Sequence, residues 1–294
     1  MAGAIDYAGL FPPAALPMAD AVRNFDRYRR GPHAWMLGRF VVPVARLEEL
    51  ADAFTALTVL TAPEHTTPEH TAWPLSVIAR ASDAPALAAF NARYGSLLKI
   101  DTVEAPPVRA GDAEALGALG ALAASYAVFA EVDWSTDPAP LIAELAQHGV
   151  RAKIRTGGVK SEAFPPPEHV ARFIAACREA RVPFKATAGL HHAWRGEYPM
   201  TYEPGSARAT MFGFASVLRA SSAATAGAGA SEIAATLVAS GASGFKAAEQ
   251  GWVIPSGRAM PVELVAATRE HSMVSFGSCS FEEPVGELTA LGLL

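Results

Sequence analysis

The sequence predicts an α/β protein, a (β/α)8 TIM barrel with an insertion after the seventh strand, on three observations. Short β-branched runs alternate with segments of helical period along most of the 294 residues. Eight strand-like runs occur in all, enough to close a parallel sheet into a barrel. No Gly-rich dinucleotide turn follows the first of them, which argues against the competing open, doubly wound sheet.

Residues 5–7 (IDY) open the series. Residues 39–44 (RFVVPV) read as a strand, and 46–57 (RLEELADAFTAL) place apolar residues at helical spacing. The same pair returns as 73–79 and 84–95, as 96–105 (SLLKIDTVEA) and 112–125, and as 126–134 (YAVFAEVDW) and 137–149. It continues as 150–158 (VRAKIRTGG) and 166–180, then as 182–190 (VPFKATAGL). Residues 191–206 (HHAWRGEYPMTYEPGS) break the rhythm, and 206–227 and 231–241 read as two helices beyond them. Residues 272–278 (SMVSFGS) supply the closing strand. Residues 1–294 are therefore expected to form one domain, with 191–272 holding an irregular insertion and extra helices. On a barrel such an insertion emerges at the C-terminal face, where it covers a pocket, makes an oligomer contact or is a plain surface excursion. Homo-oligomerisation stays open.

Twenty-four basic against 29 acidic residues give a net charge of −5, with no basic block, so nucleic acid and an anionic membrane surface are not expected partners. A small molecule is. Cys177 and Cys279 stand far apart in sequence and outside any metal-type pair, which points to a reducing compartment and a cytoplasmic location. Neither a basic leader with an apolar core nor a bilayer-length apolar run is present.

Only five of the basic residues are lysines: Lys99, Lys153, Lys160, Lys185 and Lys246. Lys153 and Lys185 fall inside predicted strands. Alternation puts Lys153 with Arg155 on one face and Lys185 with Thr187 on one face of the next strand. If those faces point inward the ammonium groups meet near the barrel mouth, where neighbouring cations and desolvation disfavour the charged amine and free it to attack a carbonyl. The competing reading is a pair of structural ion pairs or solvent-reaching side chains. Asp101, sharing a predicted face with Lys99 and Val103, and Glu131, sharing one with Asp133, are the carboxylates expected to shuttle protons or to serve as counterions. His191 and His192 lack metal-type spacing and suit polar lining or proton transfer, and Trp194, Tyr198 and Tyr202 are candidate lid residues or packing beneath the insertion. Gly277 to Ser280 precede a predicted helix, 282–292, and fit an anion site or an ordinary N-cap equally, with Glu282 and Glu283 arguing against the anion. Cys279 has no assignable base.

These stretches together resemble the deoxyribose-phosphate aldolase family, class I aldolases built on a (β/α)8 barrel. Lys153-Ile154-Arg155-Thr156-Gly157 is similar to that family's sixth-strand Lys-Thr-Ser-Thr-Gly, and Phe184-Lys185-Ala186-Thr187-Ala188-Gly189 to its seventh-strand motif. IDYAGLFPPA resembles the family's opening, with Asp6 matching; KIDTV places Asp101 at its proton-shuttling aspartate; FGSCSF is similar to its phosphate-binding segment, with Ser278 and Ser280. The likeness runs from about Ile5 to Gly189 and resumes at Ser275. It implies a Schiff base on Lys153, Lys185 as the tuning cation, Asp101 as proton carrier and no cofactor or metal. Arg155 in place of a small hydroxyl residue, Ala188 in place of a glycine, and the His191-His192 insertion depart from the family. The expected activity is accordingly a lyase or aldolase acting on a small carbonyl compound rather than on phosphorylated deoxyribose, with Asp6, Glu131, Arg155, Thr187, His191, Ser278 and Ser280 contributing to substrate binding. A Schiff-base dehydratase, a cyclising synthase and a non-catalytic metabolite-binding barrel are the alternatives.

Overall fold

All eight runs read as strands are strands. The computed structural model describes residues 1–60, 72–239, 251–254 and 256–294, so Lys246 and the end of the helix expected over 231–241 lie outside the described residues. In chain order come β1 (Ile5–Tyr7), α1 (Met18–Arg29), β2 (Leu37–Pro43), α2 (Leu47–Leu60), β3 (Trp73–Ile78), α3 (Ala84–Tyr94) and β4 (Leu98–Ala105). There follow α4 (Ala113–Ala123), β5 (Ala127–Glu131), α5 (Ala139–Gln147), β6 (Arg151–Arg155), α6 (Pro167–Ala180) and β7 (Phe184–Thr187). Beyond these lie a hairpin, β8 (Gly196–Pro199) and β9 (Arg208–Met211), then α7 (Phe214–Thr225) and α8 (Ala230–Val238). A second hairpin, β10 (Gly251–Val253) and β11 (Ala259–Pro261), leads into α9 (Val262–His271), β12 (Met273–Ser278) and α10 (Glu282–Ala290). The strands β1-β12-β7-β6-β5-β4-β3-β2 close into one barrel, every pair parallel.

The helices sit where the sequence period requires. In α6 the buried Val170, Phe173, Ile174 and Cys177 recur at i, i+3, i+4 and i+7, one stripe facing the barrel. Pro167 stands in its first turn, where a missing N–H costs nothing. The helix ends at Arg181, left-handed at φ 56°, whose N–H returns to the Arg178 carbonyl. Phe173 meets Phe184 edge to face at 5.2 Å, which fixes the outer side of β7 directly behind Lys185. In α4 the Asp112 carboxylate caps the helix by accepting the Ala115 N–H at 3.1 Å.

The insertion departs from expectation at its start. Residues 208–211, expected to be helical, pair antiparallel with β8 instead. Gly213, at φ +74°, then turns the chain so tightly that a Cβ there would lie 2.4 Å from the Trp194 carbonyl carbon. Only after this turn does α7 begin, its first amides donating to the carbonyls of His192 and Ala193. Strand pairing and the glycine turn outweigh the helical period of the side chains. Among the described residues no helix is long and apolar enough to cross a membrane.

Candidate functional site

The barrel interior holds an alternating chain of carboxylates and ammonium groups, built by register. Glu131 on β5 pairs with Lys153 on β6, Lys153 with Lys185 on β7, and Lys185 with Ser275 on β12, so the four stand at one level. Lys185 is fully buried, and its Nζ donates to Asp6 Oδ2 at 2.7 Å and to Glu104 Oε1 at 2.6 Å. Glu104 then reaches Lys153 with its other oxygen at 3.4 Å, and Glu131 approaches Lys153 at 3.0 Å. Ser76 donates to Glu104 at 2.8 Å; Ser275 and the Arg39 N–H donate to Asp6 at 2.8 and 2.9 Å. Every oxygen of the two deepest carboxylates thus has a donor, the condition under which buried charge is tolerated.

The two lysines therefore meet through a shared carboxylate, not as bare cations in mutual repulsion. Burial alone would raise the Glu104 carboxyl, but the attraction of Lys185 and then of Lys153, with hydrogen bonds from Lys185 and Ser76, holds it at about 2. Burial likewise works against the Lys185 ammonium, and the charges of Asp6 and Glu104 overcome it and raise its proton affinity.

Asp101 is not part of this chain. A bulge in β4 sets Ile100 opposite Leu75 and Thr102 opposite Ser76, leaving Asp101 as the extra residue. Past the bulge the alternation reverses, so Glu104 points at the lysines, while Asp101 is held by Arg39 through a two-pronged ion pair of 2.6 and 3.0 Å. Glu104 was not singled out from the sequence. Its signal was an acidic residue enclosed by Val103 and Ala105 at the end of a strand. Asp6 faces Lys185 and does not line the cavity described next.

Above the charge chain, at the C-terminal ends of the strands, lies a cavity of about 330 Å3. Lys153, Glu104, Arg155, Thr187, His191 and Cys279 supply its polar lining, and Phe11, Pro12, Pro13, Val41, Ile78, Met200 and Met211 much of the rest. Lys153 opens onto it and Lys185 is sealed beneath. Arg155 is exposed and makes no ion pair among the described residues, whereas Thr187 Oγ1 leans on the Ile154 carbonyl at 3.4 Å. His191 packs its Nδ1 3.2 Å from the buried Ser278 Oγ and 3.6 Å from Cys279 Sγ. Ser280 faces elsewhere: its Oγ accepts the Glu283 N–H at 3.2 Å and caps α10. Glu282 pairs with Arg27 at 2.8 Å, and Glu283, which accepts the Tyr202 hydroxyl at 3.0 Å, is the acid that comes near His191, at 3.7 Å. Ala188 adopts φ +64° and Gly189 φ +70°, so alanine here takes the left-handed conformation that glycine adopts more readily; Thr156 stabilises it by donating to the Ala188 carbonyl at 2.7 Å. Among the described residues no group of three His, Cys, Asp or Glu could hold a metal ion.

No family model, curated protein or solved structure matches this chain. The chemistry of the site therefore rests on its own geometry.

Two expected results follow from the packing. Gly38 lies against Asp6: a Cβ there would sit 2.5 Å from Asp6 Oδ1 and 3.1 Å from the Ile5 carbonyl oxygen. Gly38→Ala should push the Asp6 carboxylate off Lys185 and destabilise the fold by about 1–3 kcal/mol, read by urea unfolding. The second concerns His191, which burial first and then the adjacent His192 lower to about 4. The native ring stays neutral while the unfolded chain takes up a proton, so the contribution is complete above about 6.5 and is lost as the pH falls toward about 4. His191→Gln should reduce the stability lost between about pH 7 and about pH 5, measured by urea unfolding at both.

Proposed function

We propose that the protein is a Schiff-base-forming lyase of the aldolase type, acting through Lys153 on a small carbonyl compound. The observation that carries this reading is the placement of Lys153: its ammonium lies between Glu131 and Glu104 at 3.0 and 3.4 Å and opens onto the cavity, whereas Lys185 is walled in below. The resemblance of the strands bearing both lysines to class I aldolases supports the same assignment.

The amine must lose a proton before it attacks, and Glu131, part-exposed and in contact with Nζ, is the group positioned to accept it. Attack on the carbonyl carbon gives a carbinolamine. Returning the proton to its hydroxyl expels water and leaves a protonated imine, which is a cation where the ammonium had been. Glu104 and Glu131 then stabilise that cation. Breaking the adjacent carbon–carbon bond sends its electron pair into the imine, and a carboxylate takes the proton released from the departing hydroxyl. Glu104, locked by Lys185 and Ser76, is the fixed charge of this pair; Glu131, part-exposed beside Lys153, is the acid and base. Arg155 offers a cation at the rim for a carboxylate on the substrate.

Borohydride reduction in the presence of a panel of aldehydes, 2-oxo acids and 2-deoxyribose 5-phosphate tests the assignment, with peptide mass spectrometry locating the adduct. The expected result is an adduct on Lys153, absent in Lys153→Met, formed more readily with unphosphorylated or carboxylated compounds than with the phosphorylated sugar. Failure of the whole panel to modify Lys153 would leave a metabolite-binding barrel without imine chemistry.

A further inference from the structure

The cavity over Lys153 is polar at one group of residues and apolar over the rest, and beyond Val41 and Ile78 on the barrel strands much of the apolar part comes from two excursions that the barrel itself does not need. One is the β1 to α1 loop, which brings Phe11, Pro12 and Pro13; the other is the β8–β9 hairpin, which brings Met200 and Met211. The hairpin is firmly seated. Tyr198 stacks on His192 with ring centroids 3.5 Å apart, and its hydroxyl donates to the Trp194 carbonyl at 3.2 Å. Tyr202 donates to Glu283 at the start of α10. Met211 is 3% exposed, so its side chain is confined to the cavity wall.

Few groups remain to receive a hydroxylated chain. The polar edges of Thr187 and His191 are already turned to the Ile154 carbonyl and to Ser278. Arg155 suits an anionic group and Lys153 with Glu104 the reacting carbonyl. A sugar-like substrate would bring its other hydroxyls against methionine, proline and phenylalanine, and each one left without a partner weakens binding by roughly tenfold. An alkyl chain meets the same wall favourably, by about fourfold for each methylene buried. Methionine adds a polarizable, adaptable surface that fits chains of differing shape.

We infer that the substrate class is a carbonyl compound bearing an apolar, unhydroxylated chain, with Met200 and Met211 as the specificity-determining residues. The inference rests on the imine reading for the carbonyl end and on the apolar wall for the chain, and the two can fail separately. Calorimetry with n-alkanols from butanol to octanol, which have neither carbonyl nor charge, probes the wall alone. Affinity is expected to rise by about fourfold per methylene until the cavity is filled. The Met200→Ser/Met211→Ser protein should show less than a twofold step, and the Met200→Leu/Met211→Leu protein should keep the full step, with thermal melts verifying that both fold. Borohydride trapping of propanal against glyceraldehyde, equal in chain length, probes the pair together: half-maximal labelling of Lys153 is expected at a tenfold or more lower concentration of propanal. A flat alkanol series, a series unchanged by the serine substitutions, or glyceraldehyde labelling Lys153 as readily as propanal would overturn the inference. A rising alkanol series with no aldehyde trapped on Lys153 would instead uphold the apolar wall and remove the imine chemistry.

Discussion

Replacing Lys185 by methionine is expected to destabilise the fold by about 3–5 kcal/mol, the range for breaking a buried ion pair by removing one partner. For a chain of this length that corresponds to a melting temperature lower by on the order of 10 °C. The reason lies in what the ammonium leaves behind. Asp6 and Glu104, 1% and 3% exposed, lose their shared cation, and the apolar replacement offers neither a hydrogen bond. Ser275 and the Arg39 amide still serve Asp6, and Ser76 and Lys153 still serve Glu104, so the barrel should remain folded at room temperature. The pH dependence identifies the cause. In the parent protein Glu104 is held at about 2, below its ordinary 4.5, so its contribution is complete above about 4.5 and is lost as the pH falls toward 2. Without Lys185, the largest favourable charge on Glu104, that acid-dependent loss should shrink. Adding Glu104→Gln to Lys185→Met should recover part of the stability, because no buried carboxylate is then left facing methionine, and the two substitutions will not add. Full additivity, or a melting temperature within about 2 °C of the parent, would mean that the ammonium is solvated rather than sealed.

The legibility of this site in the sequence follows the reach of local rules. Period-2 and period-3.6 patterns are carried by the chain itself, so the strands, their order and the placement of Lys153 with Arg155 and of Lys185 with Thr187 on one face of adjacent strands could be read directly, while which face turns inward could not. Alternation fails where the backbone inserts a residue. Nothing in KIDTVEA marks Asp101 as the bulged position, and one extra residue is enough to turn Glu104 toward the lysines and leave Asp101 with Arg39. The Arg39–Asp101 pair spans 62 positions and the Lys185–Asp6 pair 179, and such partners depend on closure of the barrel, not on any local pattern. The same limit applies to the hairpin. Residues 208–211 carry a helical period, yet their partner strand and the Gly213 turn set their conformation. Ala188, which departs from the glycine of the resembled family, takes a left-handed conformation all the same, and the Thr156 hydroxyl bonded to its carbonyl helps hold it.

Glu131→Gln is expected to separate two events that Lys153 substitutions abolish together. Glutamine preserves size and keeps a hydrogen-bonding oxygen next to Lys153 Nζ, so the amine retains a neighbour at the 3.0 Å position while losing an acceptor for its proton. Imine formation needs that proton removed and returned, but a mobile amine open to a cavity can exchange it with water, and borohydride collects the imine over many minutes. Labelling of Lys153 should therefore fall only severalfold. Turnover requires a proton to be taken from a substrate hydroxyl and delivered to carbon within each cycle, and loss of a positioned general acid or base typically reduces such steps by 10²–10⁴-fold. Glu104 cannot replace it, because both of its oxygens are committed to Lys185, Ser76 and Lys153 within the barrel. Glu104→Gln should in turn lower stability as well as labelling, since it removes charge from Lys185 and Lys153 together. The readout is kcat and initial labelling rate on the same carbonyl compound for the parent and both variants. Equal losses of labelling and turnover in Glu131→Gln would show that this carboxylate only orients Lys153, and would shift the proton-transfer role away from it.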